Sequence, residues 1–138
     1  MSLDITVQQD WADGTYRFRL GVKELDELQD ITGVGPAELF RRLHMHEWRR
    51  KDIRETIRLG LIGGGTEAVK ANKLCKMYVD DVPLLDNRGL AVSIVGAVLE
   101  GVKAAVDGKK ADAAETNDPT TTAPAGSTSP QPMEMPQP

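Results

Sequence analysis

The sequence predicts a mainly α-helical domain that opens with a β-hairpin and is followed by a disordered tail. Apolar and polar residues alternate before residue 21, which is the period of a strand. From residue 22 to 107 apolar residues recur three and four positions apart, which is the period of a helix. Val, Ile, Leu, Phe, Tyr and Trp are absent after Gly108. With 138 residues the chain has room for one domain, predicted over residues 1–108, and a tail over 109–138.

The hairpin is predicted over residues 5–20. Tyr16, Phe18 and Leu20 alternate with arginines, as in a strand with one buried face. Asp13-Gly14 lies between the two apolar runs, and this pair tolerates the positive φ of a tight turn. Because a two-stranded ribbon is marginally stable alone, we expect its apolar face to pack against the helices.

About five short helices in a compact bundle are predicted after the hairpin. Their expected positions are Val22–Thr32, a segment from Pro36, Arg49–Ile62, a segment after Thr66, and Asn87–Asp107. Gly33 and the triple glycine 63–65 mark helix ends, because glycine readily adopts positive φ. Thr66 is a suitable N-cap for the fourth helix. The last helix repeats an apolar residue at every fourth position from Leu90 to Val106, so we expect it to lie at the core.

Two helices have predicted inner faces that the structure can test directly. The first helix would bury Val22, Leu25, Leu28 and Ile31. The third would bury Ile53, Ile57 and Leu61. Its opposite surface would hold Arg50, Arg54 and Arg58 together with Glu47 and Glu55, and a charge-laced, solvated face is the usual interpretation of this pattern.

The tail, residues 109–138, differs sharply in composition from the rest. It has no Val, Ile, Leu, Phe, Tyr or Trp and holds six of the eight prolines. Such a segment buries too little apolar surface to offset the entropy of ordering, so we expect it to be disordered.

Charge and cysteine content narrow the function classes. The formal net charge of −4 provides no basic field for holding nucleic acid. Cys75 is the only cysteine, which suits a reducing compartment. The N-terminus has no secretory signal pattern, and the apolar run 90–99 is too short to span a membrane. We therefore expect a cytoplasmic protein that binds neither nucleic acid nor membrane.

Candidate chemical sites are weak. The triple glycine lacks the lysine of a phosphate loop and follows a helix instead of a strand. His44 and His46 are the only histidines, so any metal site would be short of ligands. The pair Asp80-Asp81 has no neighbouring nucleophile or base and is interpreted as helix-end and surface charge. The expectation is a non-enzymatic protein without cofactor, metal or catalytic residues.

Protein binding is therefore the expected activity, and aromatic residues are the first candidates for it. Trp11 and Trp48 lie at segment edges among polar residues, where each could cover the core or anchor a partner. Trp48 is the preferred partner-binding residue, followed by Leu61 and Ile62.

Several segments together resemble a known family. They are Asp13–Phe18, Glu24–Leu28, Gly33-Val34-Gly35, Asp52–Gly65 and Tyr78-Val79-Asp80. In sequence and order they resemble the gene transfer agent family of phage tail proteins, over about residues 5–105. Asp52–Gly65 is the most specific of these segments.

The resemblance implies a tail assembly chaperone that coats the tape-measure protein and promotes polymerisation of the tail tube protein, with homo-oligomerisation open. The family has also been described as tail tube protein, so a structural component retained in the particle is the alternative. A tube subunit generally needs a larger β-sandwich than one hairpin, which favours the chaperone. A helix-turn-helix regulator is a further alternative, prompted by the arginines of the third helix, and the acidic balance counts against it.

Overall fold

The computed structural model describes residues 3–103, so the predicted tail over 109–138 lies outside it. The strands are β1 (Leu3–Asp4), β2 (Thr6–Trp11), β3 (Gly14–Arg19) and β4 (Val102–Lys103). The α-helices are α1 (Val22–Thr32), α2 (Pro36–His44), α3 (Arg50–Gly63), α4 (Ala68–Cys75) and α5 (Arg88–Glu100). A π-helical turn, Lys76–Asp80, follows α4, and a 3-10 turn, Leu84–Asn87, precedes α5. The prediction of an N-terminal hairpin and five helices is confirmed for the described residues.

The hairpin pairs β2 with β3 antiparallel, but its turn lies one residue earlier than predicted. Trp11 pairs with Gly14, so the two loop residues are Ala12 and Asp13 instead of Asp13-Gly14. Ala12 takes the positive φ, at 58°. A two-residue hairpin loop requires this φ because it matches the twist of the strands, and here the requirement falls on an alanine.

The fifth helix is shorter than its apolar repeat predicts. It ends at Glu100 because Gly101 has a φ of 78°, outside the helical region. Val102, predicted to be helical, instead lies in β4 and is the register partner of Asp4 in β1. The predicted continuation to Asp107 includes Val106, which lies outside the described residues. The pairing of β1 with β4 brings the two ends of the described chain together.

The first two helices match their predicted positions. α1 has the predicted bounds, and Gly33 ends it with a φ of 79°. Pro36 occupies the first turn of α2, where its missing N–H leaves no helical hydrogen bond unmade. The predicted inner face of α1 is wrong at one end, because Val22 is 81% exposed while Leu28 is buried. Val22 is the first residue of the helix and lies beyond the reach of the core.

Helix α3 is the most enclosed element. It packs against β3, α1, α4 and α5. Its predicted inner residues Ile53, Ile57 and Leu61 have no exposed surface. The core around them includes Phe18, Leu20, Leu28, Leu39, Leu43, Leu74, Val79, Leu90, Ile94 and Val95. Burial on this scale is the main stabilising contribution in a small domain.

The triple glycine forms a helix-ending corner, as predicted, although only one of its residues has positive φ. Gly65 has a φ of 111°. Its N–H donates to the carbonyl of Ile62 at 3.1 Å, and the Thr66 N–H donates to the carbonyl of Leu61 at 2.9 Å. These two bonds form the Schellman arrangement that satisfies the last carbonyls of a helix. Thr66 is therefore part of this corner, and Glu67 instead occupies the N-cap position of α4.

Gly63 and Gly64 have a different role from Gly65. A Cβ on Gly63 would overlap the carbonyl oxygen of Arg19, and a Cβ on Gly64 would overlap that of Arg17. Gly60, one turn earlier, leaves only 3.4 Å between an added Cβ and the Cβ of Phe18. The C-terminal turn of α3 thus approaches the backbone of β3 more closely than any side chain permits.

This close approach predicts the effect of a single methyl group. Gly64→Ala should lower the free energy of unfolding by about 2 kcal/mol or more, because α3 and β3 must separate to admit the Cβ. Gly89→Ala is the matched control, since a Cβ at Gly89 in α5 meets nothing within 4 Å. The control should stabilise the protein by about 0.5–1 kcal/mol, because alanine is the better helix former. Chemical denaturation of both variants measures the difference, and equal stabilities would contradict the close packing.

Candidate protein-binding surface

The described residues provide no metal site and no activated nucleophile. Among residues 3–103 no group of three or more His, Cys, Asp or Glu side chains is placed to hold a metal ion. His44 stacks on Phe40, with ring centroids 5.8 Å apart. Cys75 is fully buried, and this burial raises the pKa of its thiol to about 12. A thiol in this state is not a nucleophile near neutral pH.

The arginines of α3 form an ion-paired layer that is much less solvated than predicted. The side chains of Arg54 and Arg58 are only 13% and 20% exposed. Arg58 pairs with Glu55 on α3 and with Glu27 on α1 at 2.6 and 3.4 Å. The layer therefore joins α3 to its neighbours instead of forming a free basic surface.

Asp80 is the principal acceptor in this layer, which corrects its interpretation as a surface charge. Its side chain is 19% exposed and accepts hydrogen bonds from Arg50 at 2.8 Å and Arg54 at 2.9 Å. Arg54 also donates to Asn72 of α4 at 3.1 Å. Asp80 ends the π-helical turn, so these bonds fix that turn and α4 against α3. Asp81, the next residue, is exposed as predicted.

Trp11 covers the core, which was one of its two predicted roles. Its ring makes edge contacts with Tyr16, Phe18 and Tyr78 at centroid distances of 6.0, 5.8 and 6.0 Å. Its indole Nε1–H donates to Asn87 Oδ1 at 2.8 Å. Asn87 is buried and donates in turn to the Tyr78 carbonyl at 2.8 Å. The first bond holds the start of α5 against the hairpin, and the second holds it against the π-helical turn.

The three predicted partner-binding residues are placed differently from one another. Leu61 has no exposed surface and belongs to the core, so in this conformation it is not accessible to a partner. The prediction that Leu61 binds a partner conflicts with its predicted position on the inner face of the third helix. Trp48 and Ile62 are partly buried and pack against the core. The Trp48 indole Nε1 is buried and has no hydrogen-bond partner within the described part of the chain.

A different surface, on α5, is both apolar and accessible. Leu85, Gly89, Val92, Gly96 and Leu99 follow one another at spacings of four, three, four and three residues. This spacing places the α5 members on one face of the helix, with Leu85 continuing it into the 3-10 turn. Leu85 is 59% exposed and Leu99 is 41% exposed. We call these five residues the α5 seam.

The α5 seam has the chemistry of a helix-docking surface. The sequence between Arg88 and Glu100 contains no charged residue. Gly89 leaves a shallow position between the larger side chains, where an added Cβ would meet nothing within 4 Å, so another helix could approach closely there. Phe40 of α2 borders the seam, with a ring carbon 3.2 Å from the position of a Cβ on Gly96. Sequence reasoning missed this surface because the apolar repeat identified α5 only as a core helix.

Two hydrogen bonds from Arg88 fix α2 beside the α5 seam. Arg88, the first residue of α5, donates to the carbonyl oxygens of Leu43 and His44 at 2.7 and 2.8 Å. These carbonyls belong to the last turn of α2, where a cation also interacts favourably with the helix dipole. The position of Phe40 beside Gly96 is therefore set by a contact between the two helices.

The comparison with protein families gives the wider setting of this fold. The family described as phage tail tube protein, GTA-gp10, matches residues 4–101. The chain belongs to that family. No curated protein and no solved structure matches it significantly. Membership makes the chain a phage tail or gene transfer agent protein, which agrees with the resemblance of its sequence motifs. None of the helices within residues 3–103 has the length and apolar content needed to cross a membrane.

The ion-paired layer predicts unequal losses of stability when each of two adjacent aspartates is replaced. Asp80→Ala should cost about 1–3 kcal/mol, because it leaves the half-buried Arg54 guanidinium without its main acceptor. Asp81→Ala removes an exposed carboxylate and should change stability by less than about 0.5 kcal/mol. Denaturant titration of both variants provides the measurement. Equal losses would mean that the layer contributes nothing beyond surface charge.

The buried thiol predicts a pH dependence. The pKa of Cys75 in the folded protein lies above its ordinary value of 9.0, so the stabilising contribution of the protonated thiol is complete below about pH 9. It is lost as the pH rises toward about 12. At pH 8 we expect the native protein to react with a thiol reagent only as fast as it unfolds. The reagent releases a coloured thiolate when it reacts with Cys75, and the rate at which its absorbance rises is measured with and without denaturant. Rapid labelling of native protein would contradict it.

Proposed function

We propose that the protein is a tail assembly chaperone, a non-enzymatic protein that binds the tape-measure protein and assists polymerisation of the tail tube. The observation that carries the proposal is the exposed, uncharged α5 seam in a member of a tail protein family. An elongated helical client docks by laying apolar residues into such a surface. Binding to other tail components follows from the same assignment.

The architecture supports an assembly role over a tube role. Within residues 3–103 the strands form two separate two-stranded sheets, β1 with β4 and β2 with β3. A subunit that closes a tube by sheet packing needs many longer strands with alternating faces. The longest strands here have six residues. Most of the described fold is helical, and the exposed face of a helix is better suited to packing against a helical partner than to closing a tube.

A structural component retained in the particle is the second candidate. The description of the family as tail tube protein favours it. In that role the α5 seam would face a neighbouring subunit of the tail instead of the tape-measure protein. The two candidates share protein binding through exposed surfaces and differ in whether the protein leaves the assembly.

The size of the seam sets the expected strength of binding. Fully burying a leucine side chain contributes about 1.5–3 kcal/mol, and Leu85 and Leu99 each have about half of that contribution still to gain. Placing a charge at either position also requires its desolvation on binding. A single charged substitution in the seam should therefore weaken a complex by about tenfold or more.

Charged substitutions in the seam test the binding surface. We expect Leu85→Glu and Leu99→Glu each to weaken association with the tape-measure protein by about tenfold or more, with little change in melting temperature. Val22→Glu is the matched control, since Val22 is 81% exposed on α1 and lies outside the seam. Co-expression pull-downs followed by titration of the purified pair give the affinities. Undiminished binding by both seam variants would move the contact elsewhere.

The same assay covers the earlier candidate residues. Trp48→Phe keeps an aromatic ring in the partly buried site and removes the unpartnered indole N–H. If the Trp48→Phe variant fails to bind the tape-measure protein while its melting temperature is unchanged, the contact lies near Trp48 and Ile62. The two candidate roles are separated by the composition of purified particles. A chaperone is absent from mature particles, whereas a tail component is present in stoichiometric amounts.

A further inference from the structure

A second surface, formed by α4 and the π-helical turn that follows it, carries charge of one sign. Helical spacing places six exposed residues on one side of this segment: Val69, Lys70, Asn72, Lys73, Lys76 and Met77. Val69 is 71% exposed and Met77 is 53% exposed. We call these six residues the α4 basic face. It shares no residue with the α5 seam.

The three lysines of this face differ from the arginines of α3 in having no carboxylate partner. In residues 3–103 none of Lys70, Lys73 and Lys76 is within salt-bridge distance of an acid. Lys70 Nζ lies over the ring of Tyr16, 5.7 Å from its centroid. Asp80 at the end of the segment is already occupied by Arg50 and Arg54.

Two acidic groups border the face, Glu67 and Asp13, and within residues 3–103 neither forms a salt bridge with its lysines. Glu67 lies at the N-cap of α4, where it faces the positive end of the helix dipole. α3 packs against α4 and contributes Arg54 to the contacts with it, while Tyr16 of β3 lies beneath Lys70 and donates its hydroxyl hydrogen bond to Asp13. The α4 basic face thus holds only positive and neutral groups, in a protein with a net charge of −4.

We propose that the α4 basic face binds an acidic amphipathic helix of a protein partner. Lys70, Lys73 and Lys76 are spaced by three residues and would pair with carboxylates along such a helix. Val69 and Met77 lie between and beside the lysines and would contact its apolar side chains. The face extends over nine residues, or about 12 Å, so it matches about two turns of the partner. The proposal is independent of the chaperone role.

Nucleic acid fits this face less well. A phosphate backbone would leave Val69 and Met77 facing charged oxygens, and apolar contact would be lost. Three lysines neutralise few phosphates, and the net negative charge of the chain opposes the approach of a polyanion. A helix that combines carboxylates with an apolar stripe satisfies both kinds of side chain on the face.

Binding of a synthetic peptide tests the proposal with the full chain. The probe is a three-heptad helical peptide with leucine at the a and d positions and glutamate on its flanks, compared with the same peptide carrying lysine on its flanks. Fluorescence anisotropy at low salt should give at least about tenfold tighter binding of the glutamate peptide. The variant Lys70→Glu, Lys73→Glu, Lys76→Glu should remove this preference.

A matched control makes the same change in net charge elsewhere. Lys23→Glu, Arg49→Glu and Lys51→Glu alter three exposed cations outside the face. This control should bind the glutamate peptide within about threefold of the unmodified protein. Equal loss in both triple variants would show that only net charge matters and would overturn the proposal.

The apolar half of the proposal has its own test. Val69→Ser combined with Met77→Ser leaves the charge intact and should weaken binding of the glutamate peptide about threefold or more. Unchanged affinity would remove the apolar contact and contradict an amphipathic partner.

A double-stranded oligonucleotide serves as the competing probe. If it binds and the α4 triple reversal abolishes its binding while peptide binding is unaffected, the face is a nucleic-acid surface and the proposal is wrong.

Should the triple reversal fail to fold, Lys70→Gln, Lys73→Gln and Lys76→Gln replace it. Glutamine keeps the length of the side chain and its helix propensity while removing the charge. Circular dichroism and melting temperature establish the folded state of each variant. The glutamine variant should lose the preference for the glutamate peptide, and retention of the preference would count against the proposal as the reversal would.

Discussion

The fold depends on how closely α3 approaches β3. Gly63 and Gly64 lie three and four residues after Gly60, so all three face the strand at the C-terminal end of α3. Any side chain at Gly63 or Gly64 would overlap the carbonyl oxygens of the strand. With α3 held at this distance, Phe18 is fully buried. The hairpin is too small to be stable alone, and this contact supplies the packing that it requires.

The opposite side of α3 is enclosed by charge instead of by apolar contact. Arg58 pairs with Glu27 of α1, and Arg54 pairs with Asp80 of the π-helical turn. Partly buried ion pairs are a weak source of net stability because desolvation offsets much of their attraction. Their geometric effect is stronger, because a missing partner would leave a half-buried guanidinium unpaired. The layer thus specifies where α1 and α4 lie on α3.

Local signals in the sequence predicted most helix boundaries, whereas contacts between residues distant in the sequence were not predicted. α1 was predicted with its observed bounds because Gly33 ends an uninterrupted apolar period. The end of α5 was missed because the repeat of valines continues past Gly101 to Val102. Val102 instead lies in β4, whose pairing with β1 joins residues almost a hundred positions apart. The hairpin turn was displaced by one residue because Asp-Gly is a stronger turn signal than Ala-Asp. Asp80 was misjudged because its partners lie on α3.

The candidate surfaces illustrate the same limit. A periodic pattern identifies which residues share a helix face, but it does not reveal whether another element covers that face. Leu61 was predicted to bind a partner together with Trp48 and Ile62, and it is buried in the core. The α5 seam resembled further core in the sequence, but Leu85 and Leu99 at its two ends are exposed, and only its middle, at Gly96, is covered by Phe40 of α2.

The two proposed surfaces differ in how they would select a partner. The α5 seam has no charge, so it would discriminate by the shape and apolar area of a helix, and its contribution would change little with salt. The α4 basic face holds only two large apolar side chains, so it would discriminate by charge and accelerate encounter more than it would tighten the complex. A helical partner with an acidic flank could use either surface, whereas a purely apolar one would use the seam alone. Salt dependence measured separately for variants of each surface would therefore assign a given partner to its surface.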